Sequence, residues 1–305
     1  MVTRRRGRVR SLAAVAGGLA LSVTALAACA SGPADGGVVV TTNILGDVVQ
    51  EVAGDEIEVT VLMPAGADPH SFEISAQQAA AVENADLVVS NGLGLEEGVQ
   101  HVVDAAAADG VPVLAVGDLV DPLEYREGAS AGQLDPHFWT DPDRMATGAE
   151  LIAEALEEHA GVEPGDDVAA YLDELGDLDR HLSTAFGEIP ADRRSLVTNH
   201  HVLGYLADRY GFEVVGAVIP SGTTLASPSA ADLDSLATAI TENGVPAVFA
   251  DSSQPDRLAQ VLADTAGIDV EVVSLYSESL TAEGEAATYL GMMRANADAI
   301  ASALS

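Results

Sequence analysis

The chain has 305 residues, with 48 acidic side chains against 13 Lys and Arg and a formal net charge of −35. All the acids lie after Cys29, where only eight arginines oppose them, so the body of the protein carries a charge of about −40. Such a charge argues against nucleic acid, whose binding requires phosphate neutralisation, and against docking on an anionic membrane surface. A cationic ligand is favoured by the field, although a generally acidic, salt-tolerant proteome would produce the same balance.

Five arginines in Met1–Arg10 precede an apolar, small-residue run from Leu12 to Ala28. This is the pattern of a signal peptide over 1–28; the run is short and rich in Ala, Gly and Ser for a membrane span. It ends in Leu26-Ala27-Ala28-Cys29, which has the form of a bacterial lipobox, with Cys29 as the lipidated residue and 29–37 as a lipid-anchored tether. The plainer alternative is a secreted chain in which Cys29 is incidental. If Cys29 is lipidated, the mature chain has no free thiol and no disulfide, because Cys29 is its single cysteine.

Beyond the tether, short Val/Ile/Leu-rich runs alternate with helical periods. Strands are predicted at Val38–Ile44, Ile57–Met63, Leu87–Ser90 and Val111–Val116, with helices at Gly46–Val52, Ala76–Glu83 and Glu96–Ala108. From Pro142 to Ala185 the pattern is helical without a strand, broken near Gly161–Gly165. Tyr171, Leu175, Leu178, Leu182 and Phe186 fall at helical spacing there. Alternation resumes with strands at Ser195–Thr198, Glu213–Ile219, Val245–Ala250 and Val270–Leu275. Helices follow at His201–Tyr210, Pro228–Glu242, Pro255–Ala266 and Thr288–Ala303. Ser227 or Ser229, and Asp251–Ser253, stand where N-caps belong. The expected fold is α/β, with an N-terminal lobe over 38–160, a linking helix over 161–190 and a C-terminal lobe over 191–305. Each lobe carries a four-stranded parallel sheet.

Seven histidines occur, and three of them follow predicted strands. His70 stands in Asp68-Pro69-His70, His137 in Asp135-Pro136-His137, and His200 directly after Ser195–Thr198; Glu278 follows Val270–Leu275. The carboxyl edge of an open parallel sheet is where ligands bind. Two lobes facing one another there would bring three imidazoles and a carboxylate into one cleft. That donor set suits four-coordinate Zn²⁺ and is poor for Ca²⁺ or Mg²⁺; Mn²⁺ and Fe²⁺ are the nearer competitors. Asp68 and Asp135 could orient the imidazoles as outer-shell acceptors. His201 rivals His200, and Asp251, at the end of another strand, rivals Glu278. His101, His159 and His181 fall within helical segments without partners and read as structural or surface residues.

On these residues the chain resembles the zinc/manganese-type solute-binding proteins of bacterial ABC transporters. His70-Ser71-Phe72-Glu73 matches that family's Pro-His-x-(Tyr/Phe)-Glu, and His137-Phe138-Trp139-Thr140-Asp141-Pro142 matches His-x-Trp-x-Asp-Pro. His200 through Gly204-Tyr205-Leu206 matches the third ligand's segment, and Glu278-Ser279-Leu280 stands where the family usually carries Asp-Ser-Leu. The resemblance implies two pseudo-symmetric lobes joined by a long helix, metal bound between them, and delivery to a membrane permease. The expected protein is a lipid-anchored, extracytoplasmic monomer, and whether its metal arrives free or from a metallochaperone stays open. His at the third position is the zinc-type pattern, whereas the His-rich loop of many zinc members is absent from Asp118–Leu134.

Two rivals come from other classes. A zinc-dependent hydrolase needs an open metal position and a general base, and no His-Glu-x-x-His, Gly-x-Ser-x-Gly or phosphate loop occurs. A metal-stabilised adhesin would unfold on metal removal.

Overall fold

The computed structural model describes residues 36–54, 57–126, 128–163, 165–254, 260, 262 and 270–305. The expected signal peptide, Cys29, the tether as far as residue 35 and nearly all of the helix expected at Pro255–Ala266 lie outside them.

Strands β1 (Val38–Val40), β2 (Val59–Val61), β3 (Leu87–Ser90) and β4 (Val113–Ala115) form a parallel sheet of order β2-β1-β3-β4. In the second lobe, β5 (Ser195–Thr198), β6 (Glu213–Ala217), β7 (Ala247–Asp251) and β8 (Glu271–Leu275) repeat it as β6-β5-β7-β8. The helices are α1 (Asn43–Ala53), α2 (Ala76–Glu83), α3 (Gln100–Ala108), α4 (Pro142–Ala155), α5 (Asp166–Gly187), α6 (Gly204–Tyr210), α7 (Ala230–Asn243) and α8 (Tyr289–Leu304).

The strands read as continuous apolar runs because helices cover both faces of each sheet. Successive side chains of a strand point to opposite faces. Val38, Val40, Leu87, Val89, Ala247 and Phe249 thus enter one shared core. Val39 and Val88 pack in an outer cluster of the first lobe, and Val248 and Ala250 in an outer cluster of the second. The shared core runs through both lobes, from β1 to the last turn of α8. Helix α5 is its spine: 22 residues, about 33 Å at the α-helical rise, burying Tyr171, Leu175, Leu178, Leu182 and Phe186 on one stripe. It packs on α4, on α1 and on α8. A π-helical turn at Leu156–Ala160 and Gly161, at φ 69°, separate α4 from α5.

Several boundaries differ from expectation by a few residues, and three of them have a hydrogen-bond reason. The first strand stops at Val40 rather than Ile44, because the Thr42 hydroxyl accepts from Leu45 N and starts α1 at Asn43. Helix α3 begins at Gln100 rather than Glu96, because the buried Glu96 carboxylate is taken by Thr41 Oγ1 (2.5 Å), Asn91 N (2.7 Å) and Gly92 N (3.3 Å). Helix α6 begins at Gly204 rather than His201, whose amide instead donates to Ser221 O at 3.0 Å.

Where α1 meets the start of α8, Asp47 Oδ2 accepts from Tyr289 N at 2.8 Å. Burial pushes the Asp47 carboxyl up to about 6, although that hydrogen bond favours the anion. A carboxyl raised in the folded state costs stability above its folded pKa, and the cost fades as pH falls from about 6 towards the unfolded 3.8. Asp47→Asn keeps an acceptor for Tyr289 N without the charge. We expect it to be more stable than wild type at pH 8 by about 2 kcal/mol, and equal at pH 4. Thermal unfolding at both pH values checks this, and a constant difference would contradict it.

Candidate metal centre

The two Asp-Pro-His segments fold alike. Asp68 Oδ1 accepts from His70 N at 2.9 Å, and Asp135 Oδ1 accepts from His137 N at 3.0 Å, an Asx turn in each case. Both turns lie past a strand end of the first sheet, after β2 and after β4 respectively. In the second lobe His200 leaves β5 directly, and the Thr198 hydroxyl donates to its carbonyl at 2.5 Å. Glu278 follows β8.

These four side chains converge. His70 Nε2 and His200 Nε2 each lie 3.4 Å from His137 Nε2. Glu278 Oε1 is 3.1 Å from His200 Nε2 and 3.5 Å from His137 Nε2, and Oε2 is 3.8 Å from His70 Nε2. One ligand atom from each residue falls within 4.8 Å of all the others, and no other group of three or more His, Cys, Asp or Glu does so among the described residues. The four residues are 0–2 % exposed.

Burial sets the protonation. It drives His70 down to about 2, helped by the neighbouring imidazoles of His137 and His200, and drives His137 well below the ordinary imidazole range. It pushes Glu278 up to about 7. Burial also disfavours a charged His200, but the adjacent Glu278 carboxylate outweighs it and raises His200. Burial thus favours neutral His70 and His137, the form in which an imidazole ligates a metal, while the nearby Glu278 favours charge on His200. Both Glu278 oxygens lack a hydrogen-bond partner, as do His70 Nδ1 and His200 Nδ1. Buried polar atoms are rarely left so, and a cation held there would satisfy the carboxylate.

The remaining residues singled out in the sequence surround this cluster. Asp135 Oδ1 takes His137 Nδ1 at 2.7 Å, fixing that ring so that Nε2 faces the cluster. Asp68 Oδ2 takes Ser71 Oγ from its own turn, and Thr224 Oγ1 (2.6 Å) and Gln254 Nε2 (2.8 Å) from the opposite lobe. Asp251 stands outside the cluster: its carboxylate accepts from the amides and hydroxyls of Ser253 and Ser277. His201 also stands outside it, its ring tilted 6.2 Å from that of Tyr125. His181 pairs with Asp298 at 3.3 Å, and His159 lies 4.0 Å from Glu158, both away from the cleft. Trp139 packs edge-on to His137 at 5.2 Å and donates Nε1 to Ser277 O at 2.9 Å. Sequence reading missed Tyr125, whose hydroxyl reaches to 3.1 Å from His137 Nδ1. It also missed Glu96, buried among strand ends; no periodicity marks either residue.

Two parallel-sheet lobes that enclose a buried donor set of imidazoles and a carboxylate between their strand ends define a two-lobed metal-binding protein. The chain belongs to the family described as ZnuA, zinc-uptake complex component A, periplasmic, which matches residues 38–303. It is 31% identical over 274 residues to the manganese-binding lipoprotein MntA of Halalkalibacterium halodurans. It is 32% identical over 281 residues to the zinc-binding protein TroA of Treponema pallidum. Each alignment covers 88% of both chains. The solved structure of periplasmic zinc-binding TroA from Treponema pallidum matches with a TM-score of 0.80 at 30% identity, covering 88% of this chain and 99% of that one. The family supplies the metal-binding components of ABC uptake systems; its members bind a divalent metal and are not enzymes.

Proposed function

We propose that this protein captures zinc outside the cytoplasm, with His70, His137, His200 and Glu278 as its ligands, and hands it to the permease of an ABC importer. Cys29 would carry the lipid that anchors it to the outer face of the membrane, as the lipoprotein relatives' names suggest. One observation carries the choice of metal. A tetrahedron with Zn–N and Zn–O bonds of about 2.05 Å has edges of about 3.3 Å. The five separations between donor atoms given above run from 3.1 to 3.8 Å. This spacing supports a four-coordinate ion held by three imidazoles, and Mn²⁺ prefers more oxygen.

With every ligand buried, the metal enters or leaves only when the lobes or their loops part. A closed shell with no position kept for water suits retention and release rather than turnover. A second reading, manganese, has its own support: both Glu278 oxygens face imidazoles, and a chelating carboxylate would add a fifth ligand. The MntA relative bears a manganese name.

Metal analysis and competitive titration of the chain from Ala30 to Ser305 decide between them. The expected result is one zinc per chain with manganese far weaker; equal or tighter manganese would overturn the choice of zinc. Zinc at a thousandfold over its Kd should stabilise the fold by about 4 kcal/mol, raising Tm on the order of 10 °C for a chain of this size. The chelated protein should still unfold cooperatively, because its core is built from extensive apolar clusters whose packing needs no metal. Loss of that transition on chelation would instead indicate a structural metal.

A further inference from the structure

The Glu278 carboxylate has no hydrogen bond of its own to fix it, so its position is set by the backbone that carries it. That backbone is gripped on two flanks. Before Glu278, Ser277 is held by Asp251 of its own lobe and by Trp139 of the first lobe, whose Nε1 donates to the Ser277 carbonyl. After Glu278, the grip comes from the opposite lobe. Asn43, the first residue of α1, accepts from Leu280 N through Oδ1 at 2.9 Å and donates Nδ2 to Ser279 Oγ at 2.8 Å. The same Nδ2 reaches Pro64 O at 3.2 Å. Gly66 N completes the seam, lying 3.0 Å from Ser279 Oγ and 2.9 Å from Leu280 O.

One amide side chain therefore uses both its donor and its acceptor to dock the segment after Glu278 onto the first lobe. We propose that Asn43 is a positioning residue for the metal site: from the first lobe it holds Glu278 of the second in place to ligate. The inference rests on the metal-site reading above. Its consequence is that parting the lobes at this seam releases one of the two grips on the Glu278 backbone. Asn43 does not touch the metal. The α1 N-terminus does not depend on it, because Thr42 supplies the cap.

A double-mutant cycle on the purified chain tests this, reading the rate of Zn²⁺ release into excess chelator and the visible absorption of bound Co²⁺. Asn43→Ala should speed Zn²⁺ release about tenfold, the scale seen when an outer-shell partner is lost, and should change the Co²⁺ spectrum in the direction Glu278→Ala does. Asn43→Asp keeps the acceptor for Leu280 N and should fall between wild type and Asn43→Ala. In the Glu278→Ala background, Asn43→Ala should alter release less than about twofold, since the two residues act as a unit. An equal effect in both backgrounds, or none in either, would overturn the proposal while leaving the site intact. Zinc binding indifferent to Glu278→Ala would instead overturn the ligand set, and this inference with it.

Discussion

His200→Ala should weaken zinc binding by well over about 100-fold, beyond the 10–100-fold typical of losing an outer-shell partner. The imidazole is one of only four converging donors, lies 3.1 Å from Glu278 Oε1 and is 0 % exposed. Alanine removes a strong nitrogen donor and leaves room that water fills poorly among buried rings. The effect is doubled in kind, because the Glu278 carboxylate then loses the one group that raises its charged fraction: the adjacent His200. Competition with a chromophoric chelator at pH 7.5 measures the loss. Circular dichroism of the variant should match wild type, since His200 contributes only carbonyl and amide groups to the strand end. An affinity within about threefold of wild type would mean that the site is wrongly drawn.

The second large effect falls on stability. Asp141 caps α4 through Asp143 N at 3.0 Å, and pairs with Arg144 Nη1 at 2.6 Å and Arg209 Nε at 3.3 Å. Arg209, on α6 of the second lobe, also takes Asp179 of the linking α5 at 2.8 Å. The Asp141 side chain is 1 % exposed, whereas Arg144 and Arg209 are 18 % and 25 % exposed. Asp141 thus ties α4 to α6, and Arg209 extends the network to α5. Asp141→Ala deletes the cap and removes the most buried carboxylate from Arg144 and Arg209, which keep Asp121, Asp143 and Asp179. Breaking a fully buried pair on one side costs about 4 kcal/mol; the remaining carboxylates reduce that here, and the lost cap adds about 1 kcal/mol. Denaturant unfolding should show a decrease of about 4 kcal/mol, with Asp141→Asn losing less because it keeps a capping oxygen. A change below about 1 kcal/mol would mean that the network is solvated rather than cohesive.

Much of this architecture was legible before any coordinates. Val/Ile/Leu runs of four to seven residues separated by helical periods specify parallel sheets, because only strands covered on both faces can be apolar throughout. The five-residue stripe from Tyr171 to Phe186 specified α5 for the complementary reason, a single apolar face. The three histidines were legible because each comes after a strand before the next α-helix, His200 directly and His70 and His137 through loops, where the polypeptide surfaces at the ligand-binding edge. Boundaries were less legible. Thr42, Glu96 and His201 each end or delay an element through a hydrogen bond that periodicity does not encode.

The rivals for the fourth ligand show where sequence reasoning stopped. Glu278 and Asp251 are both carboxylates just beyond C-lobe strands, and nothing local separates them. Tertiary structure does so by supplying Asp251 with two serine hydroxyls and two amides while leaving the Glu278 oxygens unpaired. By itself the sequence determined the two sheets, the spine between them and the three imidazoles, since these follow from the chain's own periods and turns. Tertiary structure alone decided which carboxylate faces them, how Asn43 and Asp68 bind one lobe to the other, and that the core is common to both lobes. Those are contacts between residues up to 237 positions apart, and no local pattern in a chain carries information about a partner that only folding brings within reach.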